Sequence, residues 1–487
     1  MRVVRKFSSL KEVQSTVRKG KISCQDLVKF YLKNIQDNKN LNAFVEVYTA
    51  EALAQAKVLD DKLQQAPEKL GKLFGLVISI KDVLCYKNHK LSASSKMLDG
   101  FESLFSATVI ERLLAEDAII IGRTNCDEFA MGSTNETSYF GVTKNAADTT
   151  RVPGGSSGGA AVSVQADMCL AALGSDTGGS VRQPAAWCGV VGFKPTYGRI
   201  SRHGLLAYAS SFDQIGIFAP KSDDVASILE VIAGADDYDS TVSEKTVEQY
   251  SEPSKDAFSK KKIAYFPEAI NHEGIDENIR TATLDFIEQL RSEGHIVEEV
   301  SFEYIDYLVP TYYVLTTAES SSNLSRYDGV RYGHRAEEVQ NLEELYRKSR
   351  TEGFGKEVKK RIMLGTFVLS VGYYDAYFTK AQQVRQLIKD KKNEIFGDYD
   401  FILMPTTPNF PPTLGASEKD PISTYLADIY TVFANLVGVP AISIPIQTTE
   451  HALPIGVQLI ANDFQEHKLL TFVRELERLR AERELVV

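Results

Sequence analysis

The chain has 487 residues, of which 43% are hydrophobic, and a formal net charge of −10 at pH 7. This length is sufficient to bury a large core, and the acidic balance disfavours a protein that by itself contacts the phosphates of a nucleic acid. The five cysteines form no C-x-x-C pair, and no run of about 18 apolar residues occurs. We therefore expect a cytoplasmic protein with reduced thiols, no metal site and no membrane association.

The first part of the chain predicts helices that alternate with short buried strands. In residues 9–12 and 23–26 a serine is followed three positions later by an acidic residue, a pattern typical of a helix N-terminus. Further helices are predicted over residues 50–63, 109–116 and 160–165, and strands over residues 73–83, 118–122 and 168–173.

The alternation resumes after a polar, acidic segment at residues 235–261, which is the best candidate for a linker. The later predicted elements are strands at 262–266, 296–300, 401–405, 439–446 and 453–460, an amphipathic helix at 275–294, a helical, tyrosine-rich stretch at 304–396 and a charged helix at 467–484. This order predicts an α/β fold whose sheet is at least partly parallel. We expect one domain over residues 1–487, with a helical excursion at about 304–396.

Lys81 stands at the end of the apolar run 73–83. A lysine that extends from a strand end into water is one interpretation. The other is a catalytic base, which requires a neutral amine near pH 7 and hence a pKa roughly 3 units below its usual value of about 10.4. Burial in an apolar strand can produce such a shift.

Two segments, 154–159 and 174–180, are rich in glycine and serine. The first is not a nucleotide-binding P-loop, because Ala160 and Ala161 follow where lysine and serine or threonine are needed. It fits the G-x-S-x-G pattern, but the preceding residues 145–153 are polar and do not predict the strand that this motif requires. A flexible linker is the remaining alternative, although the apolar helix that follows disfavours it.

Ser180 is the stronger candidate for a nucleophile, because its segment begins where a predicted strand ends. The N–H groups of Thr177, Gly178 and Gly179 can form a nest for a developing oxyanion.

A serine also needs a base, and none of the seven histidines lies in a recognisable motif. Lys81, relayed through Ser156, is the economical proposal, and amide hydrolysis is the predicted chemistry. Asp176 and Arg182 flank Ser180 and either pair to hold the loop or form a surface salt bridge.

These segments resemble the amidase signature family. The resemblance rests on Lys81, on residues 151–159, 176–182, 192–199 and 211–216, and on their spacing. Residues 123–133, 323–333, 360–367 and 435–440 are similar to members that act as glutaminase subunits of tRNA-dependent amidotransferases. The asparagine-led residues 145–148 depart from the family pattern without touching the proposed catalytic groups.

The resemblance implies a mixed central sheet covered by helices on both faces. It also implies roles for residues of the site: Ser180 as the nucleophile, Ser156 as the bridging serine after a cis peptide bond, Lys81 as the base, Arg361 and Asp428 on the α-carboxylate and α-amine of glutamine, and Tyr312, or its rival Tyr313, as a further contact. One charge of each sign suits a zwitterion.

The implied reaction is glutamine hydrolysis, with the ammonia passed to a partner subunit. The partner would use ATP and Mg²⁺ to convert Glu-tRNA(Gln) to Gln-tRNA(Gln), a small third subunit would complete a heterotrimer, and this chain would need no cofactor. A stand-alone amidase for small amides is the alternative, and it would not need the Arg361/Asp428 pair. A non-enzymatic scaffold stays possible, whereas a cysteine-dependent glutaminase is excluded because no cysteine follows Met1 or lies in G-x-C-x-G.

Overall fold

The structure is a computed structural model that describes residues 6–254, 259–419, 426–448 and 453–484. Its strands are β1 (Phe44–Val47), β2 (Val77–Lys81), β3 (Ile119–Thr124), β4 (Ala171–Asp176), β5 (Val191–Lys194), β6 (Gln214–Ala219), β7 (Lys262–Tyr265), β8 (Ile296–Glu299), β9 (Phe401–Pro405), β10 (Ala441–Thr448) and β11 (Pro454–Ala461). They form an 11-stranded sheet in the order β1-β3-β2-β4-β6-β5-β10-β11-β9-β7-β8.

Helices flank this sheet. They are α1 (Leu10–Arg18), α2 (Cys24–Asp37), α3 (Thr49–Gln65), α4 (Thr108–Ala115), α5 (Gly158–Gln165), α6 (Arg182–Cys188), α7 (Ser222–Ile232), α8 (Pro267–Ile270), α9 (Glu277–Ser292), α10 (Ile305–Asn323), α11 (Leu342–Gly353), α12 (Lys356–Val368), α13 (Lys380–Asp398), α14 (Ala416–Lys419), α15 (Val432–Val437) and α16 (Glu466–Glu484). The predicted α/β class with a mixed sheet is confirmed.

Strand β2 lies between β3 and β4 and is parallel to both. All five of its residues, including the polar Ser79 and Lys81, are buried, so both faces of this strand are covered. The other parallel pairs join β7 to β8 and to β9, and the remaining neighbours are antiparallel. The partly parallel sheet is therefore also confirmed, and it brings the ends of β2 and β4 to the same edge.

Several predicted boundaries differ from the structure. The strand predicted at 73–83 covers only Val77–Lys81, because residues 73–76 form a turn. The strand predicted at 168–173 runs from Ala171 to Asp176, so half of the second glycine-serine segment belongs to the sheet. Strands β1, β5 and β6 are not among the predicted elements, although β7 and β8, which have the same four-residue length as β1 and β5, are. Gly216 interrupts β6 and weakens its periodicity.

Helices α10 and α12 carry Tyr312, Tyr313 and Arg361 of the residues expected to bind glutamine, and they pack closely together. The approach depends on Gly365, because a Cβ at this position would collide with the backbone carbonyl of Thr317. A backbone oxygen cannot move aside as a flexible side chain can. The glycine therefore sets the distance between the two helices.

We predict that Gly365→Ala lowers the free energy of unfolding by about 1–3 kcal/mol, because α12 must move away from α10. The matched control is Gly397→Ala in α13, where an added Cβ meets no atom within 4 Å. That change should be neutral or stabilise by about 0.5–1 kcal/mol, since it removes a helical glycine. Urea unfolding of both variants provides the comparison, and equal stability of the two would contradict the prediction.

Candidate functional site

Lys81 is the last residue of β2, and its side chain is fully buried. Its Nζ donates hydrogen bonds to three serine hydroxyls, Ser156 Oγ at 2.7 Å, Ser157 Oγ at 2.9 Å and Ser175 Oγ at 2.9 Å. Burial lowers the pKa of Lys81 to about 8, against the opposing effect of nearby acidic groups. The alternative of a lysine that extends into water is therefore wrong.

The segment 154–159 is buried throughout, and α5 begins within it at Gly158. Its alternative interpretation as a flexible linker is therefore also wrong. The peptide bond between Gly155 and Ser156 is cis, as the family resemblance implied. The Ser156 carbonyl accepts a hydrogen bond from the Asp127 N–H at 3.1 Å, and the Gly155 N–H donates to Gln183 Oε1 at 2.9 Å. The backbone around Ser156 is thus held from two other segments.

Asp176 and Arg182 form a fully buried ion pair, with Arg182 NH2 donating to Asp176 Oδ1 at 3.0 Å. The surface salt bridge is thereby excluded. The Asp176 carboxylate also accepts backbone N–H bonds from Gly179, Val181 and Arg182. Burial raises the pKa of Asp176, but the Arg182 guanidinium and the hydrogen bonds lower it to about 2. The pair therefore closes the loop that carries Ser180.

Arg182 extends this network beyond the loop. It donates to Gln458 Oε1 in β11 at 2.8 Å and to Asn435 Oδ1 in α15 at 2.7 Å. Asn435 in turn donates to Asp176 Oδ1 at 2.9 Å. Residues distant in sequence thus fix the Ser180 loop against the sheet.

Ser180 is 9% exposed, and its carbonyl accepts a hydrogen bond from the Ser157 N–H at 3.3 Å. The structure therefore places it beside the lysine-serine cluster through the backbone. Its hydroxyl forms no hydrogen bond with Ser156 or with any other residue that the structure describes. The relay from Ser156 to Ser180 consequently stays a prediction.

The three N–H groups predicted as oxyanion donors differ in their hydrogen bonding. The Gly179 N–H donates to Asp176 Oδ1 at 2.9 Å in this structure, and its role as an oxyanion donor stays a prediction. The N–H groups of Thr177 and Gly178 donate to no residue in the described ranges. These two remain the available donors for an oxyanion.

Arg361 lies in α12 with 6% of its surface exposed. Its NH1 donates to the Tyr208 hydroxyl and its Nε to Glu357 Oε1, both at 2.9 Å. The guanidinium carbon lies 5.6 Å and 5.4 Å from the ring centroids of Tyr208 and Tyr313. The aromatic rings hold this cation in place.

Asp428 is 7% exposed and accepts hydrogen bonds from Ser133 Oγ at 2.9 Å and from the Tyr313 hydroxyl at 3.4 Å. Burial raises its pKa to about 7, although the Ser133 hydrogen bond and the Arg361 charge oppose the shift. Because Tyr313 contacts both Arg361 and Asp428, the structure brings the expected charge pair to one place.

The Tyr312 ring packs edge-on against Tyr313, with their ring centroids 5.1 Å apart. It also covers Gly178, where a Cβ would collide with the Tyr312 ring and hydroxyl. Tyr312 thus contacts the Ser180 loop and Tyr313 contacts the charge pair. The choice between them as a ligand of the substrate stays open.

The sequence reasoning missed four polar residues of the site, namely Ser133, Ser157, Ser175 and Tyr208. Ser157 and Ser175 lie within the glycine-serine segments, so the density of hydroxyl groups indicated the region but not these members. Ser133 lies within residues 123–133, which carried part of the family resemblance. Tyr208 had no signal in the sequence, because its contact with Arg361 spans 153 positions.

In the described ranges no group of three or more His, Cys, Asp or Glu side chains is arranged to hold a metal ion. None of the described helices is both long and apolar enough to cross a membrane.

Comparison with known proteins places this geometry in a family. The chain matches the amidase family model over residues 26–470, and it belongs to that family. It is 49% identical to the A subunit of Glutamyl-tRNA(Gln) amidotransferase from Chlorobium phaeobacteroides over 95% of this chain and 97% of the relative. The protein of the same name from Chlorobaculum tepidum is 48% identical, with 97% and 98% covered.

Solved structures agree with these sequence relatives. The crystal structure of the A subunit of Glutamyl-tRNA(Gln) amidotransferase from Thermotoga maritima is 38% identical, with a TM-score of 0.78 over 96% of this chain and 94% of that one. A crystal structure of an amidase is 25% identical, with a TM-score of 0.80 over 96% of this chain and 99% of that one. The predicted membership of the amidase signature family is therefore confirmed.

We predict that Arg182→Met lowers the free energy of unfolding by about 3–5 kcal/mol, because it leaves the Asp176 carboxylate buried without its cation. Arg478→Met is the matched control, since Arg478 pairs only with Glu475 and Glu482 on the exposed face of α16 in the described structure. The control should change stability by at most about 1 kcal/mol. Similar losses in both variants, measured by urea unfolding, would contradict a structural role for the buried pair.

Proposed function

We propose that this member of the amidase family is the glutaminase subunit of a tRNA-dependent amidotransferase. The observation that carries the proposal is the combination of a buried lysine hydrogen-bonded to serines with a buried pair of opposite charges nearby. The first group suits amide hydrolysis and the second suits a zwitterionic substrate. The names of the relatives support glutamine as that substrate.

In the proposed mechanism, Ser180 attacks the side-chain amide carbon of glutamine. Lys81 in its neutral form takes the proton of Ser156, which takes the proton of Ser180. The N–H groups of Thr177 and Gly178 stabilise the oxyanion. Return of the proton to the leaving nitrogen releases ammonia and leaves a γ-glutamyl ester on Ser180, which water then hydrolyses.

The burial of Lys81 matters for the first step. Its pKa of about 8 leaves a fraction of the amine neutral near pH 7, whereas an exposed lysine would be almost fully protonated. The three serine hydroxyls hold the Nζ without adding a carboxylate that would stabilise the charged form. The surroundings of Lys81 therefore favour a base.

Arg361 and Asp428 would bind the α-carboxylate and the α-amine of glutamine. Tyr313, which contacts both, would hold the pair, and Tyr312 would line the path toward Gly178 and the Ser180 loop. An amidase that acts on apolar amides has no use for this pair. The pair is thus the feature that favours glutamine over a general amide substrate.

The ammonia would pass to a second subunit that activates the glutamate of Glu-tRNA(Gln) with ATP and Mg²⁺, and a small third subunit would complete the heterotrimer. The acidic chain, without a P-loop in its sequence, agrees with the assignment of tRNA and nucleotide to the partner. We place this assembly in the cytoplasm, and we assign no cofactor to this chain.

Ser180→Ala should reduce ammonia release from glutamine by at least about 10³-fold, because the variant lacks the nucleophile. Ammonia release should be measured for the chain alone and after addition of the two partner subunits with Glu-tRNA(Gln). The wild-type chain should release ammonia faster with the partners than alone. Ser227→Ala in α7, whose hydroxyl bonds only to a helix carbonyl in the described structure, is the control. Hydrolysis of simple amides without any turnover of glutamine would instead support a stand-alone amidase.

The kcat/KM for glutamine should rise between pH 7 and pH 9 with an apparent pKa near 8, because this parameter reports the free enzyme, in which the lowered pKa of Lys81 makes the neutral base dominant only above that pH. The activity rises with pH because the amine acts as a base only in its deprotonated form. Initial rates across this range, with circular dichroism to verify folding, provide the measurement. A rate that is flat or falling over the same range would rule out Lys81 as the titrating base.

A further inference from the structure

Glu128 is a buried carboxylate outside the proposed catalytic group. Only 3% of its surface is exposed, and no lysine, arginine or histidine in the described ranges forms an ion pair with it. A buried acidic group needs hydrogen-bond donors in place of water. Its donors are the Ser95 hydroxyl and the backbone N–H of Gly355, the latter 2.8 Å from Glu128 Oε2 and 3.1 Å from Oε1.

Gly355 is the N-cap residue of α12, the helix that carries Arg361. The helix has no capping hydrogen bond from the side chain of its own N-cap residue, which is a glycine. The Glu128 carboxyl group accepts the hydrogen bond at this end of the helix instead. Burial raises the pKa of Glu128 to about 7, against the opposing effect of these hydrogen bonds, so the contact rests on the acceptor oxygens rather than on a full negative charge. A Cβ at residue 355 would collide with Glu128 Oε2, so glycine is what permits this contact.

The residues on either side of Glu128 contact the proposed catalytic group and the residue that precedes Gly355. The Asp127 N–H donates to the Ser156 carbonyl at 3.1 Å, within the proposed catalytic group. The Phe129 ring packs edge-on against Phe354, with centroids 5.6 Å apart. Three successive residues therefore join the backbone of Ser156 to the start of α12.

We propose that Glu128 is a positioning residue for Arg361: it fixes the N-terminus of α12 to the segment that also holds Ser156, and so sets where the substrate carboxylate binds relative to the reacting serine. This inference rests on the proposed function. Glu128 touches neither substrate nor reacting atoms, and it acts through the position of the helix. Arg361 lies in the second turn after the cap.

The test is steady-state kinetics of Glu128→Gln in the complete complex, with glutamine and with 4-aminobutanamide, which is glutamine without its α-carboxylate. The variant keeps the size of the side chain and one acceptor oxygen but replaces the other acceptor oxygen with an NH₂ donor, so it cannot accept from both Ser95 and Gly355 as the carboxyl group does. The KM for glutamine should rise about fivefold with kcat changed less than about twofold. The kcat/KM for 4-aminobutanamide should stay within about twofold, because that substrate does not use Arg361.

A matched control is Glu352→Gln at the end of α11, which removes a carboxylate from the same helical region but not from the cap of α12. This variant should leave kcat and KM unchanged for both substrates. In an Arg361→Lys background, Glu128→Gln should add little to the KM for glutamine, since both changes act on the same contact. Ser95→Ala, which removes one donor to Glu128, should give a smaller rise of the same kind and serves if Glu128→Gln does not fold.

An unchanged KM for glutamine in Glu128→Gln, or an equal loss with both substrates, would overturn the inference while the proposed function stands. A wild-type complex that does not turn over glutamine would overturn the proposed function, and the inference with it. The two failures are therefore distinguishable.

Discussion

The burial of the Lys81 amine constrains how the rest of the site is built. Lys81 Nζ lies at the end of a strand that is covered on both faces, and its hydrogen bonds go to three hydroxyl groups rather than to a carboxylate. Removing an ammonium ion from water costs several kcal/mol unless another charge compensates, so the neutral form gains. The fold must therefore bring hydroxyl groups from separate segments to the end of β2. The parallel neighbour β4 supplies Ser175, and the segment just before α5 supplies Ser156 and Ser157.

A second constraint is the rigidity of the loop after β4. The Asp176–Arg182 pair binds three N–H groups of the loop and reaches β11 and α15. The pair thus fixes the loop that carries Ser180, and the Asp176 charge only partly opposes the lowering of the Lys81 pKa by burial. The catalytic half of the site is thus held by the sheet and its loops, whereas Arg361 comes from a helix beyond β8. The segment around Glu128 connects these two parts of the site: Asp127 contacts Ser156, and Phe129 contacts Phe354 next to the start of α12.

The sequence predicted the α/β class and the main strands, because their apolar runs are long enough to be distinguished from loops. It predicted Lys81, Ser156 and Ser180 as a group from residue type and from the family resemblance, and the structure brings Lys81 and Ser156 together. Short strands such as β5 gave no periodic signal. The contacts of Tyr208 with Arg361 and of Ser133 with Asp428 could not be predicted, since each spans more than 150 positions and depends on the packing of α12 and the segment near residue 428.

The most direct test of a serine nucleophile served by a buried lysine is to trap the covalent intermediate. The complex would be mixed with glutamine, quenched in acid within one turnover, digested and analysed by mass spectrometry. A γ-glutamyl ester on Ser180 in the wild type, and its absence in Lys81→Ala, is the expected result. An ester on Ser156, Ser157 or a cysteine, or an ester on Ser180 that forms equally fast without Lys81, would contradict the mechanism.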